Sequence, residues 1–211
     1  MLTWKCGVLP RFKNMDGVMS GSAKVLAPRE LRRLLAHVGR SDAGVRNTCI
    51  VLLSFRAGLR AAEVAGLDWA MVLGADSKVG ETLAISAAIA KNGRRRALPV
   101  HPELKAALRK LHAAYGKPAQ GAVIRSRRGG NMTAKGVVNW FIKIYAALGF
   151  DGCSSHSGRR TFITQAARLL AKSGGSLRDV QELAGHRALT TTERYIEGDR
   201  EAQRRLVRLL C

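Results

Sequence analysis

The chain has 211 residues, of which 46% are hydrophobic, so it can build a substantial core and is not a disordered polymer. Its 36 lysines and arginines outnumber its 15 aspartates and glutamates, which gives a formal charge of +21. This excess of positive charge predicts a polyanionic partner. Nucleic acid fits better than an anionic membrane, because the arginines are not gathered on one continuous amphipathic helix.

The sequence has neither an apolar run long enough to cross a bilayer nor a signal-peptide pattern at its N-terminus. Its cysteines are scattered without the paired spacing of a zinc site or a disulfide framework, at Cys6, Cys49, Cys153 and Cys211. We therefore expect reduced thiols in a cytoplasmic protein that has no membrane partner.

The first part of the chain predicts an irregular segment followed by helices. Residues 1–25 show no apolar period and are expected to form an irregular lead-in. Pro28 is placed to open an amphipathic helix, and Asp42 is placed to cap a second helix that ends at Gly58. Residues 59–67 then predict a short helix after a sharp corner.

The hydrophobic period changes after this short helix. Residues 69–73, 82–88 and 95–100 predict three short strands, and the pair Asn92-Gly93 predicts a hairpin turn between the last two. A further short strand is expected at residues 123–124.

The rest of the chain predicts helices, near residues 101–116, 133–148, 159–172, 176–184, 190–196 and 199–210. The expected fold class is mainly α with a small antiparallel β-sheet, an α+β arrangement in which the sheet follows the second or third helix. Residues 26–211 are expected to form this domain.

The last third of the chain holds a tyrosine that is a candidate nucleophile. A free phenol has a pKa of about 10, so Tyr195 needs a proton acceptor and strong positive charge nearby to attack phosphorus. A lone tyrosine more often buries its ring for packing. The histidines and arginines that accompany Tyr195 favour the catalytic interpretation.

Two arginines are candidate phosphate ligands. Arg60 and Arg159 each carry a planar fork that suits two phosphate oxygens. Arg60 stands at a helix corner between apolar residues, and Glu63 lies on the same helix face, where it can hold the guanidinium. Arg160 points elsewhere on its helix, and we assign it a structural or DNA-binding role.

Other candidates for proton transfer and DNA binding lie in the hairpin and in two Gly-containing motifs. His156 and His186 can donate to phosphate oxygens or move protons near neutral pH. Lys91, in the hairpin, could protonate a leaving 5′ oxygen. The residues next to it are predicted to contact nucleic acid at the hairpin tip: Arg94, Arg95 and Arg96.

Taken together, these residues resemble the catalytic set of the tyrosine recombinases, the phage integrase family, over roughly residues 26–200. The motifs that carry the resemblance are Gly58-Leu59-Arg60-Ala61-Ala62-Glu63, Lys91 on a hairpin, His156-Ser157-Gly158-Arg159, Ala184-Gly185-His186 and Tyr195. The segments Ala27-Pro28-Arg29-Glu30-Leu31 and Ala97-Leu98-Pro99-Val100 also resemble the family's first helix and third strand.

The resemblance implies a site-specific DNA recombinase, an enzyme that cleaves and rejoins double-stranded DNA. Tyr195 would form a 3′-phosphotyrosyl link, while Arg60, Arg159 and His186 would bind the scissile phosphate. Lys91 would be the acid for the 5′-hydroxyl leaving group. The covalent link would keep the phosphodiester energy, so no cofactor is expected, neither ATP nor a metal.

His156 would assist proton transfer in that scheme, and the enzyme would act as a homo-oligomer, from dimer to tetramer, on DNA. The tail at 199–210 would either dock on a neighbouring subunit or pack on its own domain. Ala184 stands where leucine is common in the family. Because 25 irregular residues cannot form the family's separate N-terminal DNA clamp, we expect a catalytic-domain-only recombinase or a fragment.

Two alternatives remain open at the level of the sequence. A type IB topoisomerase-like enzyme would use the same tyrosyl chemistry but would relax supercoils as a monomer. A non-catalytic DNA-binding protein would use the fold without cutting DNA. The complete set of candidate residues argues against the second alternative.

Overall fold

A computed structural model describes residues 23–91, 93–195 and 207–208. Its helices and strands, in chain order, are α1 (Pro28–Gly39), α2 (Gly44–Arg56), α3 (Ala61–Gly66), a 3₁₀ helix (Trp69–Met71), β1 (Thr82–Ile85), β2 (Arg96–Pro99), α4 (Pro102–Ala114), α5 (Ala134–Leu148), α6 (Ser157–Ser173), α7 (Leu177–Ala184) and α8 (Leu189–Glu193). The predicted fold class, mainly α with a small antiparallel sheet, is confirmed. Most of the predicted lead-in and of the predicted tail helix lies outside the described residues.

Helix α2 is the centre of the hydrophobic core. It packs against α1, α3, α4 and α6, and its consecutive residues 49–53 are all buried. Residues 49–53 are apolar on every side of the helix and must be enclosed by its neighbours, since each fully buried Leu or Ile side chain contributes about 1.5–3 kcal/mol. The predicted Asp42 cap is wrong: the helix begins after Ala43 without a side-chain cap, because Gly44 closes a tight turn onto the end of α1.

Residues 69–73 do not form the predicted strand. The Asp68 carboxylate accepts hydrogen bonds from the amides of Ala70 and Gly121, each at 2.9 Å, and so stabilises a 3₁₀ turn. Trp69 is fully buried beside His112, with ring centroids 4.6 Å apart. The strand predicted at residues 123–124 is also absent from the described chain, which forms only isolated bridges on either side, at Ala122 and Arg125.

The two strands of the sheet are shorter than predicted, and their connection is longer. Strands β1 and β2 pair from Thr82 with Pro99 to Ile85 with Arg96, which leaves residues 86–95 as the connection instead of the predicted residues 89–94. This connection packs onto α3: a Cβ atom on Gly66 would lie only 2.6 Å from Cγ2 of Ile89. The packing against α3 therefore sets the length of the connection.

Helices α6 and α7 form a second, smaller apolar cluster, made of Ile163, Val180 and Ala184. The start of α6 is pressed against α2, since a Cβ atom on Gly158 would lie 2.2 Å from Oγ of Ser54. This close approach places the next residue, Arg159, inside the protein. Among the described residues, no helix is long and apolar enough to span a membrane.

Candidate active site

Arg60 is the residue immediately before α3 and occupies its N-cap position. Its backbone amide donates to Oε2 of Glu63 at 2.9 Å, which caps the helix, and its guanidinium Nη1 lies 3.4 Å from Oε1 of the same carboxylate. The Arg60 side chain is 18% exposed. One buried carboxylate therefore caps α3 at the Arg60 amide and also makes a longer contact with the Arg60 guanidinium.

Glu63 has a second and closer partner. Arg96 donates from Nη1 and Nη2 to the two carboxylate oxygens of Glu63, at 2.8 and 2.9 Å. Burial by itself would raise the pKa of Glu63, but the hydrogen bonds from Arg96 and from the Arg60 amide outweigh it, so this pKa lies below its ordinary value. Glu63 is thus a buried anion bound by a bidentate arginine.

The position of Arg96 corrects the sequence prediction. Arg96 was expected at an exposed hairpin tip in contact with nucleic acid. The structure places it at the start of β2 with its side chain 9% exposed and paired with Glu63. Arg94 and Arg95, in contrast, lie exposed in the connection between the strands.

Arg159 lies at the centre of the site and joins three segments of the chain. Its guanidinium donates to the carbonyl of Gly58 at 2.6 Å, to the carbonyl of Ala184, and to Nε2 of His186 at 3.0 Å. Burial and the neighbouring Arg60 lower the pKa of Arg159 to about 10, which still leaves it charged at neutral pH. Arg159 is therefore a buried cation that lies beside both Arg60 and His186.

Gly58 makes this arrangement possible. Its φ is +63°, and a Cβ atom there would lie 2.4 Å from the Phe162 ring. Only glycine fits both the left-handed backbone and the close contact with α6. The carbonyl of Gly58 can therefore reach Arg159.

His186 follows α7, whose left-handed cap is Gly185. Arginine can only donate, so Nε2 of His186 accepts from Arg159, and Nδ1 carries the proton that is donated to Oγ1 of Thr192 at 2.9 Å. Burial and the nearby arginines, with Arg159 the largest of them, lower the pKa of His186 to about 4. In this state His186 is a neutral imidazole at pH 7 with a defined tautomer.

Tyr195 is placed against His186 by the turn that follows α8. The two rings stack with centroids 5.4 Å apart and planes 25° apart. Thr164 on α6 donates to the Tyr195 carbonyl at 3.1 Å, and the Tyr195 amide donates to the Thr192 carbonyl at 3.0 Å. The tyrosine backbone is thus attached to α6 and to α8.

A cationic cleft of about 630 Å³ opens beside these residues. It lies between the strand connection and α7 and is lined, among others, by Arg60, Lys91, Arg94, Arg95 and His186. The positive side chains on its walls suit a polyanion. Among the described residues, no group of three or more His, Cys, Asp or Glu side chains is placed to bind a metal.

The remaining candidates differ in their placement. His156 lies exposed at the start of α6, and its pKa is lowered by partial burial and then by Arg159, Arg60 and Lys91, so it shares the electrostatic environment of the site. Arg160 is only 8% exposed, which favours the structural role over the DNA contact, the two roles predicted for it.

Sequence reasoning missed the partners that support the site, namely the carbonyl of Gly58, Thr192 and the inward role of Arg96. For Arg96 a signal existed, because residues two apart on a strand share a face and Leu98 is buried. For Thr192 no local pattern singles it out.

The fold and the site define a mainly helical domain with a cationic cleft beside a histidine-stacked tyrosine. Residues 24–201 match the Phage integrase family. The chain belongs to that family, and the predicted resemblance is confirmed.

Individual relatives agree with this assignment. The chain is 30% identical over 190 residues to tyrosine recombinase XerC of Xylella fastidiosa, covering 84% of this chain and 61% of that protein. It is 30% identical over 208 residues to XerC of Mesorhizobium japonicum, covering 89% and 64%. The chain thus spans less than two thirds of the length of these relatives.

Solved structures show the same fold. A Tn1549 transposon integrase in complex with transposon right end DNA matches with a TM-score of 0.70 at 18% identity, over 91% of this chain and 68% of that one. The XerA recombinase matches with a TM-score of 0.68 at 20% identity, over 87% and 63%. A lambda integrase dimer bound to a core site matches with a TM-score of 0.62 at 22% identity, over 85% and 49%.

Proposed function

We propose that this chain is the catalytic part of a site-specific recombinase that cleaves and rejoins double-stranded DNA through a 3′-phosphotyrosyl intermediate. The observation that carries the proposal is the convergence of Arg60, Arg159 and His186 next to Tyr195. Sites at which buried cations meet a potential nucleophile are suited to phosphoryl transfer, because catalysis there depends on positioning and on charge stabilisation.

In the cleavage step the Tyr195 oxygen attacks the phosphorus of one phosphodiester. A bond forms between Tyr195 and the 3′ phosphate, and the bond to the 5′ oxygen breaks. The phenolic proton passes to water as the bond forms, and Lys91 supplies a proton to the 5′ oxygen. Arg60 and Arg159 stabilise the charge that develops on the non-bridging oxygens.

His186 enters this reaction as a neutral group whose protonation responds to the phosphate. Its pKa is held near 4 by burial and by the arginines. A bound phosphate would offset that positive charge and raise the pKa of His186, which favours the protonated ring, whose Nε2 can then donate to a phosphate oxygen. His156, exposed near Arg159, assists proton transfer at the rim.

Rejoining reverses the same steps with a 5′-hydroxyl of another strand. One phosphodiester is exchanged for one phosphotyrosyl ester and back, so bond energy is conserved and no nucleotide cofactor is consumed. Exchange between two duplexes requires more than one active site, so we propose a homo-oligomer on DNA, from dimer to tetramer. We also propose a cytoplasmic location, which suits an enzyme whose substrate is DNA and whose relatives are bacterial.

The test is covalent trapping on nicked duplexes. A pool of duplexes with random sequence and a nick at varied positions is incubated with the protein, and DNA that survives denaturation attached to protein is sequenced. We expect adducts with a 3′ phosphate link for the intact protein and none for Tyr195→Phe. The control for DNA binding is a filter-binding assay on the same pool, in which both proteins should retain equal amounts of DNA.

The outcomes separate the alternatives. Bound but unattached DNA for both proteins would indicate a DNA-binding protein without catalysis. Relaxation of a supercoiled plasmid by monomeric protein, without recombinant products, would indicate a topoisomerase-like enzyme. Equal adducts from Tyr195→Phe would remove Tyr195 as the nucleophile.

A further inference from the structure

Two arginines share one buried carboxylate unequally at the edge of the cleft. Of the guanidinium contacts to Glu63, Arg96 makes two short hydrogen bonds, at 2.8 and 2.9 Å, whereas Arg60 makes one contact at 3.4 Å. Glu63 has no exposed surface. The hydrogen-bonding capacity of the carboxylate is therefore used mainly by the arginine that has not been assigned a role in phosphate binding.

The packing around Arg96 holds it in this position. Its backbone pairs with Ile85 in the sheet, and its side chain lies against Gly185, where an added Cβ atom would be 3.1 Å from Cδ of Arg96. The left-handed backbone of Gly185, at φ +63°, turns the chain from α7 toward His186. Arg96 thus contacts the α3 side of the site through Glu63 and the α7 side through Gly185.

Removal of Arg96 would change the electrostatic balance of Arg60. A buried carboxylate is costly without a charged partner, and the attraction between opposite charges grows as their separation and the local dielectric constant decrease. Glu63 would then draw the Arg60 guanidinium from 3.4 Å into a full bidentate pair. The fork of Arg60 would be occupied and its charge neutralised by Glu63.

We propose that Arg96 is a positioning residue that saturates Glu63 and thereby leaves the Arg60 guanidinium free for the scissile phosphate. Glu63 keeps its second function, which is to cap α3 at the Arg60 amide. This inference deepens the proposed function and rests on it, because the phosphate is the anion for which Arg60 is kept available. It also assigns Arg96 a role distinct from that of its exposed neighbours Arg94 and Arg95.

The test compares Arg96→Gln with the double variant Arg96→Gln/Glu63→Gln. We measure single-turnover adduct formation on a DNA duplex trapped by the parent protein. Arg96→Gln should slow the reaction at least 100-fold, because Glu63 captures Arg60. The double variant should react at least tenfold faster than Arg96→Gln, because an amide at position 63 still caps α3 but no longer attracts a cation.

A purely structural role of Arg96 makes the opposite prediction. Two changes in one buried cluster would then leave the double variant as slow as Arg96→Gln or slower. If Arg96→Gln does not fold, Arg96→Lys replaces it, since lysine keeps the charge but loses the planar fork. We expect Arg96→Lys to be about tenfold slow and to be accelerated by the added Glu63→Gln. The charge control is Arg32→Gln on the exposed side of α1, which should stay within twofold of the parent.

A crystal structure of Arg96→Gln gives an answer that does not depend on catalysis. We expect both Arg60 to Glu63 contacts to shorten to about 2.8–2.9 Å. An unchanged Arg60 position, or a double variant no faster than the single one, would overturn the inference. A parent protein that forms no adduct would instead reject the proposed function, while the crystal structure would still decide whether Glu63 captures Arg60.

Discussion

The guanidinium of Arg159 donates to Nε2 of His186 at 3.0 Å, and this contact determines how the histidine can act. Because Nε2 accepts, the proton is on Nδ1, where it is donated to Oγ1 of Thr192 at 2.9 Å. The hydrogen bond at Nε2 of His186 therefore comes from a buried cation, and the hydrogen bond at Nδ1 goes to a buried hydroxyl. The stacked ring of Tyr195 lies beside a histidine whose tautomer is already fixed.

Thr192→Val should destabilise the folded protein and slow DNA cleavage. Thr192 is completely buried, and valine has nearly the same shape but cannot accept from Nδ1 of His186. A buried donor left without a partner costs about 1–3 kcal/mol, so the free energy of unfolding in urea should fall by that amount. Adduct formation should slow about tenfold or more, because the imidazole loses its fixed orientation. Thr190→Val, on an exposed position of the same helix, is the matched control and should change neither quantity.

The stability of the protein should fall between about pH 6.5 and pH 4 because of His186. Its pKa is lowered to about 4 in the folded protein, below the ordinary value of 6.5. The unfolded chain therefore takes up a proton in this range while the folded one does not, so stability is present above pH 6.5 and is lost as the pH falls toward 4. The loss should be roughly 3 kcal/mol or less.

Urea unfolding at several pH values measures this effect. His186→Gln should have a shallower decline from pH 6.5 to pH 4.5 than the parent protein. The pKa values of His156 and His101 are also lowered, but these histidines contribute equally to the stability of both proteins and cancel in the comparison. Parallel curves for the two proteins would show that His186 titrates normally.

Gly58→Ala should destabilise the protein more than Gly116→Ala. Both glycines have positive φ, at +63° and +76°, so both substitutions carry the backbone cost of roughly 1 kcal/mol. At Gly58 the new methyl group would also lie 2.4 Å from the Phe162 ring, whereas nothing lies within 4 Å at Gly116. Thermal unfolding should show a drop for Gly58→Ala that exceeds that of Gly116→Ala by several degrees. Equal drops would indicate that α6 moves away at little cost.

DNA binding should depend steeply on salt. A cleft lined by several lysines and arginines should contact roughly six or more phosphates, so a plot of log affinity against log salt should have a slope of about −5 or steeper. Arg94→Ala and Arg95→Ala should each make the slope shallower by about one, since both side chains are exposed at the cleft. A nearly flat dependence between low and physiological salt would contradict the proposed phosphate contacts.

Sequence reasoning worked where the signal was local. The apolar spacing near residues 28–38, 133–148 and 176–184 predicted α1, α5 and α7 correctly. It failed where long-range packing outweighed local preference. Trp69 has high strand propensity, but its burial and the hydrogen bonds of Asp68 produced a 3₁₀ turn.

The connection between the strands shows the same limit. The Asn-Gly pair predicted a hairpin turn within residues 89–94, yet the connection runs over residues 86–95, because Ile89 packs against Gly66 of α3. Asn92 itself lies outside the described residues. A turn signal therefore located the reversal of the chain but not its length.

The sequence by itself determined the chemical groups of this protein: a tyrosine, two histidines, a lysine and two arginines in a family order, with an acidic residue one turn from the first arginine. Tertiary structure decided which charges meet. Only the folded chain pairs Glu63 with Arg96 across 33 positions and Arg159 with the Gly58 carbonyl across 101. The physical reason is that a buried charge needs a partner close to it in space, and packing can bring that partner from anywhere in the chain. Local sequence patterns therefore do not predict which residue it is.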